Sequence, residues 1–272
     1  MVRGPLPHFD EERPEEPWSQ LECLTTLAAI AAATHTVRIE SLVVGVPYRN
    51  PALLAKTFTT LDIVSGGRVI AGLGAGWQER EFEAYGYEFG TVRGRMESLE
   101  DAVRIADEMM SENPATFAGK HRSIRGARNE PLPIQRPRPP ILIGGNGERR
   151  TLRLVARYAD MCNVYGSPED VSRKFGVLRR HCEEVGRPYT EITRTINHWV
   201  LLARDEAQKP EKRKRFPRAF SVQTPEEAVS ELEEYDAAGA QYALVKILDA
   251  ADLDPVRLFA REVMAAFREP DG

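Results

Sequence analysis

The chain has 272 residues, 42% of them hydrophobic, and a formal net charge of −4. That length suits a single large α/β domain with a substantial core, and the mild acidity gives no electrostatic case for a nucleic-acid partner. No apolar run approaches the ~18 residues of a membrane span; the three cysteines, Cys23, Cys162 and Cys182, form no CxxC pair, which suits idle thiols in a reducing cytosol.

Met1 to Pro17 is polar and proline-rich and lacks the apolar centre of a signal peptide. Val37 to Val44 reads as a strand. Pro51 to Val64 reads as a helix: Pro51 sits where a first turn tolerates proline, and Leu53, Leu54, Thr57, Phe58 and Leu61 recur at helical spacing. Ser65-Gly66-Gly67 ends it, because glycine enters the left-handed region without a steric penalty. Arg68 to Leu73 is apolar without alternation, the pattern of a strand buried on both faces. Gly72, Gly74 and Gly76 follow, and their lack of side chains lets the backbone approach something flat or anionic.

Glu79–Tyr85 and Arg95–Met110 read as helices. Residues 113–138 are rich in proline and arginine and read as an excursion with a short hairpin at Thr116–Ile124. Ile141–Ile143 is a short buried strand that enters Gly144-Gly145-Asn146-Gly147, followed by a helix over Glu148–Tyr158 and a strand over Asp160–Val164. A helix over Pro168–Val185 and a strand over Ile192–Ala203 come next. Thr224-Pro225-Glu226-Glu227 is a strong helix start, with a threonine cap, a proline in the first turn and a glutamate three residues on. That helix runs to Ala238; Gln241–Leu248 is a last strand and Asp254–Phe267 a last helix. Strands alternating with helices argue for a parallel sheet with crossover helices.

Two segments have charge that asks for a partner. The turn from Gly144 to Arg150 joins a strand to a helix and is either an anion site, built on exposed N–H groups and the helix dipole, or a tight turn with surface arginines. The basic run Lys209–Arg218 is either a solvated loop or a grip for an acidic group. No HExxH, no other metal-ligand spacing and no GxSxG elbow is present, and His35, His121, His181 and His198 do not cluster in sequence. His198 and Trp199 are neighbours on a strand, so one of the two faces the helices.

Thr60-Leu-Asp-Ile-Val-Ser-Gly-Gly-Arg68 followed by Gly72-Leu-Gly-Ala-Gly-Trp77 resembles the luciferase-like flavin and deazaflavin oxidoreductases, in which a TLD-x-x-SGGR helix end precedes G-x-GAGW. The likeness continues through Arg95-Met-Glu-Ser-Leu-Glu-Asp-Ala102, Ala115-Thr-Phe-Ala-Gly-Lys120, Pro139-Pro-Ile-Leu-Ile-Gly-Gly145 and Thr151–Asp160, and is greatest to the branch that uses coenzyme F420. It implies an α/β fold, a (β/α)8 TIM barrel of the bacterial luciferase-like type forming one domain over residues 1–272. Aligned to that barrel, the chain begins where members end their second strand, so the first strand, first helix and most of the second strand are expected to be lacking.

The resemblance also implies roles. His8 aligns with a histidine that faces the coenzyme ring and serves in proton transfer; the carboxylate that precedes it in relatives is replaced here by Pro7. The alternative for His8 is a solvated side chain in a frayed terminus. Relatives place a backbone bulge at Leu42–Gly45, often with a non-proline cis peptide, which assigns Val43 and Gly45 to the cofactor. Ala75 and Gly76 would lie against it as well. An acid that some deazaflavin enzymes carry directly after this glycine is absent, since the position is Trp77; Glu79, Glu81 and Glu83 are the substitutes at hand. Gly145, Asn146, Gly147, Arg149 and Arg150 would take the coenzyme's phosphate, and the 209–218 run its acidic tail. The expected activity is hydride exchange between coenzyme F420 and a small organic substrate, in a cytoplasmic homodimer. The alternatives are an FMN-dependent monooxygenase and a non-catalytic flavin-binding protein.

Overall fold

The computed structural model describes residues 21–217, 219 and 221–268. In chain order the elements are α1 (Cys23–Ala33), β1 (Ile39–Glu40), β2 (Val44–Gly45), α2 (Pro51–Ser65), β3 (Val69–Gly74), α3 (Glu79–Ala84), α4 (Val92–Ser111), β4 (Ala115–Ala118), β5 (Ser123–Ala127) and β6 (Ile141–Gly144). They continue with α5 (Thr151–Tyr158), β7 (Met161–Val164), α6 (Pro168–Val185), β8 (Thr193–Val200), α7 (Lys209–Arg215), α8 (Pro225–Ala237), β9 (Tyr242–Ile247) and α9 (Leu253–Leu258). The described residues form two compact units, one of residues 21–163 and 176–193, the other of 164–175 and 194–268.

In the first unit every strand of the main sheet is parallel: β1 and β2 both pair with β3, β3 with β6, and β6 with β7. The strands are short and apolar, and all six residues of β3 are buried. Helix α2 forms as its sequence directs. Asn50 caps it by accepting from the amides of Ala52 and Leu53, and Gly66 closes it at φ 71°. Helix α4 is amphipathic and buries Met96, Leu99, Val103, Ile105, Met109 and Met110. The excursion is tied back by two carboxylates. Asp62 of α2, fully buried, accepts from the amides of Ile134 and Gln135 and from the Gln135 side chain. Asp101 of α4 accepts from the amides of Lys120, His121 and Arg122 at the tip of the β4–β5 hairpin.

In the second unit β8 and β9 run parallel over six residue pairs, from Thr195–Tyr242 to Val200–Ile247. Val200 packs with Ala228 and Leu232 of α8 and with Leu258, Phe259 and Val263. The Thr224–Glu227 capping box forms as expected, with both reciprocal hydrogen bonds.

Four expectations are corrected. The strand expected over 37–44 is two short pairings separated by an irregular stretch, Ser41–Val43. Helix α5 starts at Thr151, not Glu148, because residues 148–150 form the turn that precedes it. The last helix is α-helical only to Leu258, then widens to a π turn over Phe259–Val263 and tightens over Met264–Phe267. Helix α1 had no counterpart in the sequence reading. Its run Cys-Leu-Thr-Thr-Leu-Ala-Ala-Ile-Ala-Ala-Ala has no polar face to mark a 3.6-residue period, and it buries only Leu24 and Ala31. It is fixed at its ends instead: Glu22 accepts from the amides of Leu24 and Thr25, and the Arg68 guanidinium donates to the carbonyls of Ala31 and Thr34.

Candidate functional site

Paired residues on parallel strands project to the same face. Ile70, Gly72 and Gly74 of β3 therefore share a face with Leu142 and Gly144 of β6 and Met161 of β7. Ile70, Leu142 and Met161 pack together there with Val43 against them. Nearer the strand ends the same face is glycine, and the first strand folds over it. Glu40 pairs with Ile70 and Val44 with Leu73, so four steps of one strand match three of the other. One residue is extra, which makes Ser41–Val43 a bulge. The Leu42–Val43 peptide is cis, in the segment where the resemblance leads one to expect such a bond.

The glycines make room for this bulge. A Cβ on Gly72 would lie 1.7 Å from the Ser41 carbonyl oxygen, and the Ser41 hydroxyl donates to the Gly72 carbonyl at 2.9 Å. A Cβ on Gly74 would come within 2.5 Å of Val43 Cγ2, and one on Gly144 within 3.0 Å of Val43 Cγ1. What approaches Gly72 and Gly74 so closely is thus the protein's own chain. Val43 becomes a half-buried ledge on top of the apolar face, at the C-terminal ends of the strands. Gly45 and Gly76 meet beside it: a Cβ on Gly45 would lie 3.9 Å from the Gly76 Cα. Gly76 takes φ 75°, a turn that favours glycine. Ala75 is half-buried next to it, and Trp77 is 60% exposed.

The second turn, Gly145–Arg150, follows β6. Gly145 adopts φ 137° and donates its N–H to the Asn163 carbonyl at 3.0 Å, so that amide is committed within the protein. A Cβ on Gly147 would meet Thr151 Oγ1 at 2.7 Å, which keeps the turn tight against the start of α5. The His181 Nε2 lies 2.8 Å from the Glu148 carbonyl oxygen and pins the turn from below. Asn146 is half-buried, while Arg149 and Arg150 are exposed. The structure thus brings Val43, Gly45, Ala75 and Gly76 together at adjoining strand ends and sets Gly145, Asn146 and Gly147 at the end of β6, the neighbour of β3. His8 lies outside the described residues.

Of the three substitute acids, Glu81 is committed: its carboxylate accepts from the Tyr48 hydroxyl at 2.7 Å. Glu79 and Glu83 are exposed. In the second unit His198 faces α8, with Nε2 3.6 Å from a Glu231 carboxylate oxygen and its ring 5.2 Å from that of Tyr235. Trp199 and Lys246, paired one residue on, project to the opposite face, where the Lys246 ammonium stands 4.8 Å from the indole ring. The basic run is not simply a loop. Residues 209–215 form α7, Lys209 pairs with Glu206 and Glu227, and Lys212 pairs with the buried Asp249 at 2.5 Å. Lys214 and Arg215 remain exposed. Sequence reading missed Tyr48 and Phe82, whose rings back Gly45 and Gly76; the aromatic spacing of Phe82, Tyr85, Tyr87 and Phe89 was the signal at hand.

In the comparison with known families, the luciferase-like monooxygenase model matches residues 8–266. The chain belongs to the luciferase-like monooxygenase family. Within that family it is 29% identical over 211 residues to an F420-dependent glucose-6-phosphate dehydrogenase of Kineococcus radiotolerans, a match covering 71% of this chain and 59% of the relative. It is also 29% identical over 142 residues to an FMNH2-dependent dimethylsulfone monooxygenase of Pseudomonas putida, covering 52% and 39%. The matches thus span roughly 40–60% of these curated relatives' length. Among solved structures, the coenzyme F420 dependent tetrahydromethanopterin reductase of Methanopyrus kandleri superposes with a TM-score of 0.78 over 92% of this chain and 88% of its own, at 18% identity. An EDTA monooxygenase of a Chelativorans species reaches 0.77 over 90% and 76%, at 15% identity. These superpositions establish the luciferase-like α/β fold with its parallel sheet. Among the described residues no helix is long and apolar enough to cross a membrane.

Proposed function

We propose that the chain is an oxidoreductase that transfers hydride between coenzyme F420 and a small organic substrate. The observation that carries this reading is the Val43 ledge, an apolar surface flanked by the Gly45–Gly76 contact, with glycines, Gly74 and Gly144, at the ends of β3 and β6. A flat, largely apolar ring with polar edges fits such a surface. When bound, the deazaflavin supplies the hydride chemistry. The protein's part is to hold the ring on Val43, to present the Gly45, Ala75 and Gly76 backbone to its edge, and to keep water from its apolar face. Gly145, Asn146 and Gly147, with Arg149 and Arg150, take the coenzyme's phosphate in this reading. His8 is the proposed proton-transfer residue. The same reading makes residues 1–272 one barrel domain and the protein a cytoplasmic homodimer.

A second reading, an FMN-dependent monooxygenase, is supported by the similarity to the dimethylsulfone monooxygenase. Equilibrium titration with coenzyme F420 and with FMN, followed by fluorescence, tests both. Micromolar binding of F420 in preference to FMN is the expected outcome. Preference for FMN would transfer the assignment to the monooxygenase reading, and binding of neither would refute both.

A further inference from the structure

Behind the two glycine turns lies an aromatic cluster that none of the expected roles uses. Tyr48 closes the single 3-10 turn Val46–Tyr48 directly after β2. Its ring lies under Gly45, where a Cβ would come within 2.9 Å of two ring carbons. Phe82, fully buried on α3, lies in the same way under Gly76, where a Cβ would come within 2.7 Å of Cζ. The two rings meet at 4.6 Å between centroids. Tyr87 packs edge-on against Tyr48 at 5.2 Å and donates its hydroxyl to the Tyr48 carbonyl at 3.0 Å; Phe89 packs against Phe82 at 5.1 Å.

One polar bond between side chains crosses this cluster, from the Tyr48 hydroxyl to Glu81 Oε2 at 2.7 Å. Ring contacts tolerate sliding, because dispersion is non-directional. A short hydrogen bond to a carboxylate is directional and stronger than a neutral one. Burial, and then the hydrogen bond to Glu81, push the Tyr48 phenol well above its ordinary value, so it remains a donor throughout the physiological range. Helix α3 itself has six residues and no side-chain cap at its start, so little within it fixes its orientation.

We propose that Tyr48 and Glu81 are positioning residues whose hydrogen bond locks α3 and the Gly74–Gln78 turn against the β2 strand end, setting the spacing of the Val43 ledge. The cofactor consequence rests on the reading of that ledge given above; the lock itself does not. Tyr48→Phe removes only the hydroxyl, Glu81→Ala removes the acceptor, and Glu81→Gln retains an oxygen that accepts. Two measurements are made on each. Amide hydrogen exchange over residues 78–87 of the ligand-free protein should rise several-fold in Tyr48→Phe and Glu81→Ala, with Glu81→Gln close to wild type. Titration with F420 and FMN should show about tenfold weaker binding of the preferred cofactor, about 1.4 kcal/mol, in the same two variants. Unchanged exchange in both variants overturns the lock whatever binds. Raised exchange with unchanged affinity overturns the claim that the lock sets the ledge. A wild-type protein that binds neither cofactor sinks the cofactor reading, and with it the claim about the ledge, while the exchange data still decide the lock.

Discussion

Glu40 is a half-buried carboxyl that the site does not call on. It shares the face of Ile70 through the β1–β3 register, and among the described residues its Oε1 has no hydrogen-bond partner. Burial raises its pKa from 4.5 to about 7, against a smaller opposing pull from Arg38. The sign of the consequence follows from proton counting. Between pH 4.5 and about 7 the folded protein holds a proton that the unfolded chain has lost, so stability falls as pH rises through that window. Above it the penalty is constant. Glu40→Gln removes the titration and the buried charge. Thermal melts of both proteins from pH 4.5 to 8 should show the variant gaining on wild type as pH rises, with a level difference beyond pH 8. A difference that does not change with pH would mean that the Glu40 carboxyl is solvated in the folded protein. Because the side chain is only partly buried, solvent screening keeps the expected gain modest.

At the scale of elements, the bulge and its glycines form a graded series. In Gly72→Ala the new methyl would overlap the Ser41 backbone, which has no room to move while β1 and β2 stay paired, so the loss should be at least about 3 kcal/mol. In Gly74→Ala the methyl meets the Val43 side chain instead, and a loss of roughly 1–3 kcal/mol is expected. Gly144→Ala, at 3.0 Å, needs a shift of only a few tenths of an ångström and should cost least. Val43→Ala clears the space, so denaturant melts of Gly74→Ala/Val43→Ala should show less destabilisation than the two single changes added together; strict additivity would show that Val43 does not sit on Gly74. Most elements were legible in the sequence, because α2, β3, α4 and α8 carry local signals such as the Asn50–Pro51 start, the Gly66 stop and the Thr224–Glu227 box. The glycine triplet was legible as a close approach but not as an approach by Ser41–Val43, since register is a property of two strands together. Helix α1 was illegible because apolar residues on every side carry no period, and the Tyr48–Glu81 bond because it spans 33 residues.

For the whole molecule, every described residue assigned to the cofactor ring and phosphate lies in the unit formed by residues 21–163 and 176–193. A ligand that binds only the folded state stabilises by mass action, about 2.7 kcal/mol at a hundredfold excess over its dissociation constant. Stability is also distributed unevenly through a structure, so ligand protection is greatest where opening exposes the site. Saturating F420 should therefore slow amide exchange most in the stretches around Val43–Gly45, Gly74–Trp77 and Gly145–Arg150. The β8–β9 ladder, Thr195–Val200 with Tyr242–Ile247, should change less, because it is paired over six residue pairs and none of its residues is assigned to the ring or the phosphate. FMN used as the second ligand separates cofactor identity from site location: if the site is right and the cofactor wrong, the same three stretches slow with FMN and not with F420. Protection centred on β8–β9, around the Trp199–Lys246 pair, would place the ring on the other unit and would require the Val43 ledge to have a structural role alone.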